Sequence, residues 1–106
     1  MSWQVEFTPE AVAHLAAIEE YIISAGAPVS AMRYVDAIVD FCEGLQTFPE
    51  RGTRRDDLLP GLRITHYQGT CVIAFHVDAR RERVSILGVF YGGQDYESVW
   101  RDASDA

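Results

Sequence analysis

The sequence predicts an α+β domain: a helical hairpin packed on a mainly antiparallel four-stranded sheet, in the order β-α-α-β-β-β. Three observations carry this. The apolar residues of Trp3-Gln4-Val5-Glu6-Phe7 alternate with a period of two. Two later stripes step by three or four. Three runs rich in β-branched and aromatic residues then follow, separated by turn residues. A period of two places side chains on one face of a strand, and a period near 3.6 places them on one face of a helix.

The first strand spans residues 3–7. Thr8 supplies an N-cap oxygen, Pro9 suits the first helical position, and Glu10 complements the positive end of the helix dipole. Val12, Leu15, Ile18 and Ile22 form the apolar stripe of the first helix, which Gly26 is placed to end in a left-handed cap. Ala31, Tyr34, Val35, Ile38, Phe41, Cys42 and Leu45 form the second stripe, closed by Pro49, with Gly44 read as a site of close packing. The short break between them makes the helices antiparallel neighbours. Residues 50–61 are polar and read as an irregular connection.

Residues 62–67, 71–77 and 83–91 form an antiparallel meander. A two-residue turn at Gln68-Gly69 places Tyr67 opposite Thr70, His66 opposite Cys71, Ile64 opposite Ile73 and Leu62 opposite Phe75. In that register Leu62, Ile64, Ile73 and Phe75 face the core. Arg63, Thr65, Tyr67, Val72, Ala74 and His76 face away. The last strand is apolar on both faces, as an interior strand or one covered by the chain's end would be. Gly92-Gly93 ends it in a turn.

At 106 residues the chain is expected to form a single domain over residues 1–106. No apolar run approaches the roughly 20 residues of a membrane span, and the N-terminus lacks the basic start and apolar run of a signal peptide. A cytoplasmic location is therefore expected. Cys42 and Cys71 lie in separate apolar stretches and read as buried thiols. The three histidines fall on separate elements, so neither a metal site nor a cofactor is expected. The net charge is −7, and all nine basic residues are arginine. Residues 1–50 hold eight acids against the single base Arg33. Phosphate backbones are held by neutralising cations, so direct nucleic-acid binding is not expected.

The ordered set of motifs resembles the toxins of the ParE/RelE superfamily, nearer to the ParE branch. It begins with Val5-Glu6-Phe7-Thr8-Pro9-Glu10-Ala11, Leu15, Ile18 and Tyr21-Ile22, then Ala31, Arg33-Tyr34-Val35 and Ile38. It continues through Leu45, Phe48-Pro49-Glu50, Gly52, Arg54-Arg55-Asp56-Asp57 and Leu59-Pro60-Gly61-Leu62-Arg63. It closes with Val84-Ser85-Ile86-Leu87-Gly88-Val89-Phe90-Tyr91-Gly92-Gly93-Gln94-Asp95. The resemblance implies a type II toxin folded beside a cognate ParD-like antitoxin in a hetero-oligomeric complex. Characterised ParE-like toxins poison DNA gyrase, trapping cleaved DNA. The antitoxin winds an extended and helical segment over the toxin.

The RelE branch shares the fold but cleaves messenger RNA on the ribosome, which requires a proton acceptor and clustered cations. Here Gly69-Thr70-Cys71 stands where an arginine belongs, and Gly92-Gly93-Gln94 replaces a basic stretch. The resulting expectation is a gyrase-binding toxin with no catalytic residues of its own. A ribosome-dependent endonuclease and a target-inactive antitoxin-binding homologue are the alternatives. Candidate target contacts are Arg63, Tyr91, Asp95, Tyr96 and Trp100. For Arg63 the competing role is a structural pair with Asp56 or Asp57, and for Tyr96 and Trp100 it is covering the last strand. Candidate antitoxin contacts are Tyr21, Ile23, Tyr34 and Phe41, at or beyond the edge of the helical stripes.

Overall fold

The computed structural model describes residues 3–104. The elements run β1 (Gln4–Phe7), α1 (Pro9–Ser24), α2 (Pro28–Glu43), β2 (Thr53–Arg54), β3 (Leu62–Tyr67), β4 (Cys71–Asp78), β5 (Arg83–Tyr91) and α3 (Glu97–Ser104). The sheet has five strands in the order β1-β5-β4-β3-β2, with β1 parallel to β5 and the remaining pairs antiparallel. The expected α+β class and the helical hairpin are present. The strand beyond the expected four is β2, a two-residue strand inside the polar connection, pairing Thr53 with Ile64 and Arg54 with Arg63. Such a short bridge has no apolar alternation to announce it.

α1 begins as its residues dictate. The Thr8 hydroxyl oxygen accepts the Ala11 N–H at 3.2 Å and donates to the Ile86 carbonyl at 2.9 Å. One side chain therefore caps the helix and fastens it to β5. After Ala25 the helix ends at Gly26, whose φ of +89° is the left-handed conformation that glycine adopts without a Cβ penalty. Gly44 does not mediate close packing: a Cβ there would meet nothing within 4 Å. It caps α2 in a right-handed conformation and opens a 3-10 turn over Gly44–Gln46 that buries Leu45.

The β3–β4 register differs from the expected one. The connection is Gln68-Gly69-Thr70, with φ of +53° at Gln68 and +74° at Gly69. Tyr67 pairs with Cys71, Thr65 with Ile73, Arg63 with Phe75, His66 with Val72, Ile64 with Ala74 and Leu62 with His76. A one-residue slip exchanges the faces of one strand relative to the other. Arg63, Thr65 and Tyr67 consequently share a face with Cys71, Ile73 and Phe75. Leu62, Ile64 and His66 share the other with Val72, Ala74 and His76.

Both faces of the sheet are therefore covered. On one side, Ile73, Phe75, Val84, Ile86 and Val89 pack with Ala11, Leu15 and Ile18 of α1 and Ile38 and Cys42 of α2. On the other, Leu62, Ile64, Ala74 and Phe90 pack with Leu58 from the connection, and Tyr96 and Trp100 lie against them. The expectation that β5 is interior and covered by the chain's end is met on both counts. Pairing passes from Ala74–Gly88 to Phe75–Ile86, which leaves Leu87 as the extra residue of a β-bulge. Gly61 allows the turn into β3, because its φ is +84° and a Cβ there would lie 2.6 Å from the His76 ring.

Replacing Thr8 with alanine removes both the cap and the tie to β5. The expected loss is about 1–2 kcal/mol of unfolding free energy, with Thr8→Ser recovering most of it. Urea denaturation midpoints measure both variants.

Candidate protein-binding surface

Five aromatic rings line up where β3 and β5 end and the helices cross above them. Tyr21 on α1 lies 5.9 Å from Tyr91 at the end of β5, and Tyr91 lies 5.5 Å from Tyr34 on α2. Tyr34 lies 6.1 Å from Tyr67 at the end of β3, and Tyr67 lies 5.2 Å from Phe41, about two turns further along the same face of α2. The Arg51 guanidinium closes the row, 5.8 Å above the Phe41 ring. The rings are tilted or edge-on, the arrangement their quadrupoles favour.

The row is only partly closed to solvent. Tyr21 is 64% exposed, whereas Tyr34, Phe41, Tyr67 and Tyr91 are half-buried. The Tyr34 hydroxyl is 3.4 Å from the Thr70 hydroxyl. Burial, opposed by that hydrogen bond, raises the Tyr34 pKa above that of an ordinary phenol, so it stays a neutral hydrogen-bonding group. Rigid aromatic side chains with polar tips, held at fixed angles and half in water, suit recognition of another protein surface.

Three of the four expected antitoxin contacts, Tyr21, Tyr34 and Phe41, belong to this row, and Tyr91 from the expected target set joins them. Ile23 is exposed on α1 but is not part of it. The remaining expected target residues lie apart. Arg63 is on the helix-bearing face, its guanidinium donating to the Arg51 carbonyl at 3.4 Å. The aspartates named as its alternative partners pair elsewhere, Asp56 with Arg54 at 3.0 Å and Asp57 with Arg55 at 2.9 Å. Tyr96 and Trp100 take the covering role, each ring 6.0 Å from Phe90 on the opposite face. Asp95 lies in the turn before α3, its carbonyl accepting from the Ser98 hydroxyl at 3.0 Å.

Tyr67, Arg51 and His14 were missing from the candidates. The expected register turned Tyr67 away from the helices, and nothing local marks Arg51. His14 is a single histidine on the flank of α1's stripe, yet its Nδ1 accepts the Val89 N–H at 3.1 Å. Only the tertiary structure brings that pair together. Gln94 similarly accepts the Tyr91 N–H through Oε1 at 3.0 Å. His66 pairs with Val72, not Cys71.

A latch holds α3 in place. Arg55 donates to Asp57 at 2.9 Å, to Glu97 at 2.6 Å and to the Tyr96 hydroxyl at 3.0 Å, joining the connection to the chain's end. Asp56 accepts the Gly61 N–H at 2.8 Å, which braces the turn into β3. The Gly61 N–H, followed by Arg54, lowers the Asp56 pKa, and the bond from Arg55 lowers that of Asp57.

No group of His, Cys, Asp and Glu among the described residues is arranged to hold a metal. Burial pushes the Cys42 thiol up to about 12 and the Cys71 thiol up to about 11, so neither is a nucleophile at neutral pH. No helix is long and apolar enough to cross a membrane among the described residues.

The helical hairpin on this sheet, with an aromatic surface at one end, defines a small α+β protein. The sequence matches the model for the ParE toxin of the type II toxin–antitoxin system parDE over residues 5–96, and the chain belongs to that family. Among solved structures it is similar to a chain of the chromosomal ParDE system from P. aeruginosa, with a TM-score of 0.72, 24% identity and coverage of 85% of this chain and 96% of that one. It is also similar to a chain of the toxin–antitoxin complex RelBE2 from Mycobacterium tuberculosis, with a TM-score of 0.63, 23% identity and coverage of 86% and 99%. No curated protein matches the chain by sequence.

The latch is expected to be pH-sensitive. A carboxylate whose pKa is lowered by folding contributes stability above its ordinary pKa of 3.8 and loses that contribution as pH falls through the folded value. Acidification below that range therefore loosens the Arg55–Asp57 contact and the turn before β3. The Gly61 amide proton resonance should move as the pH falls through that range, while far-UV circular dichroism is retained.

Proposed function

We propose that this chain is a toxin that inhibits DNA gyrase by binding it, and that a ParD-like antitoxin neutralises it in a hetero-oligomeric complex. The observation that carries the reading is the aromatic row on a chain of the ParE family, at a site with no grouped acid, base and cations for RNA cleavage. Of the two late tyrosines that a nuclease site could use with Arg63, Tyr96 lies on the opposite face of the sheet, held by Arg55, and Tyr91, on the same face as Arg63, is a member of the aromatic row. The chain's charge of −7 also opposes docking on a ribosome.

The acidic first half supports an antitoxin segment rich in arginine and lysine. Exposed Glu10, Glu20, Asp36, Asp40 and Glu43 lie on the two helices with Arg33 as their only base. Complementary charge speeds encounter more than it adds affinity. Arg63 and Tyr91 are the target contacts this reading retains on the helix-bearing face.

Inducing the chain without its antitoxin is expected to slow growth and to accumulate gyrase-linked double-strand breaks while messages stay intact. Message cleavage at ribosomes without breaks would replace this reading with the nuclease one. Normal growth at equal soluble expression would leave only an antitoxin-binding homologue. In the same assay Arg63→Ala should reduce gyrase-linked cleavage on the order of tenfold, equivalent to ~1.4 kcal/mol of target binding, while still capturing the antitoxin. Equal cleavage by the variant would remove Arg63 from the target surface.

A further inference from the structure

One face of α2 is spent on the core, through Ala31, Ile38 and Cys42, and the opposite face meets nothing in the chain. The helical period puts Val29, Met32, Arg33, Asp36 and Asp40 on that outward stripe, and all five are exposed. Val29 is 65% exposed and Met32 58%, one turn apart, so they form a patch and not scattered side chains. With Pro28, Arg33 and Asp36 they line a shallow depression of about 450 Å³.

The charges on the stripe are ordered as well. Arg33 is the only base in the first half of the chain. Among the described residues it makes no ion pair, although Asp36 follows it by one turn on the same side of the helix. Further along, the stripe carries only acid, Asp40 and Glu43, with no base in the last turn. A basic partner would set like charge against Arg33, and an acidic partner would set like charge against Asp36 and Asp40. The same face of a second copy, turned end for end, satisfies both.

We propose that two copies of this chain pair through the outward faces of α2, antiparallel about a dyad axis. Each Arg33 lies against the other copy's Asp36, and the Val29 and Met32 side chains of both copies close over the axis. The antiparallel arrangement opposes the two helix dipoles and brings each Asp40 toward the positive end of the other helix. The net charge of −7 does not prevent the contact, because at physiological ionic strength charges separated by more than about 8 Å are largely screened. The 16 residues of α2 span about 24 Å, so the contact is small and the dimer is a weak one, in the micromolar range or above. Tyr34 and Phe41 leave α2 toward the sheet, so each copy keeps its aromatic row open and the dimer presents two. The pairing does not depend on the gyrase reading.

Sedimentation velocity of the purified full chain, from low micromolar to near-millimolar concentration, is expected to show the mass rising from 11.9 kDa toward twice that value. Arg33→Asp alone, or Asp36→Arg alone, sets like charges face to face and should weaken the dimer on the order of tenfold. Combining the two substitutions re-forms both pairs with their signs exchanged, and should bring the dimer back to within about threefold of the unmodified chain. Both positions are exposed, so circular dichroism of all three variants should match that of the unmodified chain. A chain that stays monomeric throughout, a dimer indifferent to either single substitution, or a double variant as weak as the single ones overturns the pairing. If the chain is monomeric and Met32→Asp loses the cognate antitoxin that the unmodified chain captures, the face belongs to the antitoxin, and the dimer is overturned on that ground too.

Discussion

The pairing of β3 with β4 is the constraint on which the rest of the molecule depends. Its three-residue connection sets Tyr67 against Cys71 and Arg63 against Phe75. Side chains alternate across β3 and β4, so this single register determines what meets the helices and what meets the chain's end. Leu62 and Ile64 are sent to the far side, where they make an apolar face that α3 must cover. Tyr67 and Arg63 are brought to the helix side, where Tyr67 completes the aromatic row. A turn one residue shorter would break that row and leave the Arg55 latch closing over a different face.

The two helices then act as more than a lid for the sheet. Their inner stripes fill the core, and their flanks carry Tyr21, Tyr34 and Phe41 to the end of the sheet, where strand-end tyrosines wait at ring-contact distance. α1 also extends past the last residue of β1, and this overhang puts His14 beside a part of β5 that no strand reaches. An uncovered edge is a hazard in a soluble protein unless something blocks it. Here the His14 and Gln94 side chains block it by accepting the Val89 and Tyr91 N–H groups. The thiols have no part in this, since both are buried in the core between the layers.

Much of the fold was legible because local chemistry and global structure agree. Thr8-Pro9-Glu10 starts a helix, Gly26 ends it, and the change of period from three or four residues to two marks the start of the sheet. The row of motifs from Val5 to Asp95 placed the chain among ParE/RelE toxins, and the family match covers nearly the same span. The candidate site was legible only in part. Tyr21, Tyr34 and Phe41 betray themselves as aromatics off the helical stripe. Tyr67 does not, because its face depends on whether Thr70 belongs to the turn or to the strand, and Gln68-Gly69 is compatible with both.

The sequence by itself determined the α+β class, the helical hairpin, the acidic surface and the family, all of which follow from periodicity, caps, composition and ordered motifs. Only the tertiary structure decided the strand register, the parallel pairing of β1 with β5, the second covered face and the partnership of His14 with Val89. The β1–β5 pairing joins residues 79 positions apart, as Gln4 and Arg83, and His14 meets Val89, 75 positions further on. Their proximity is set by how long each strand runs before it stops pairing, and no local propensity encodes that length. The aromatic row is the meeting point of the two kinds of information. Its side chains are written in the sequence, but their alignment is a property of the packed helices and the sheet beneath them.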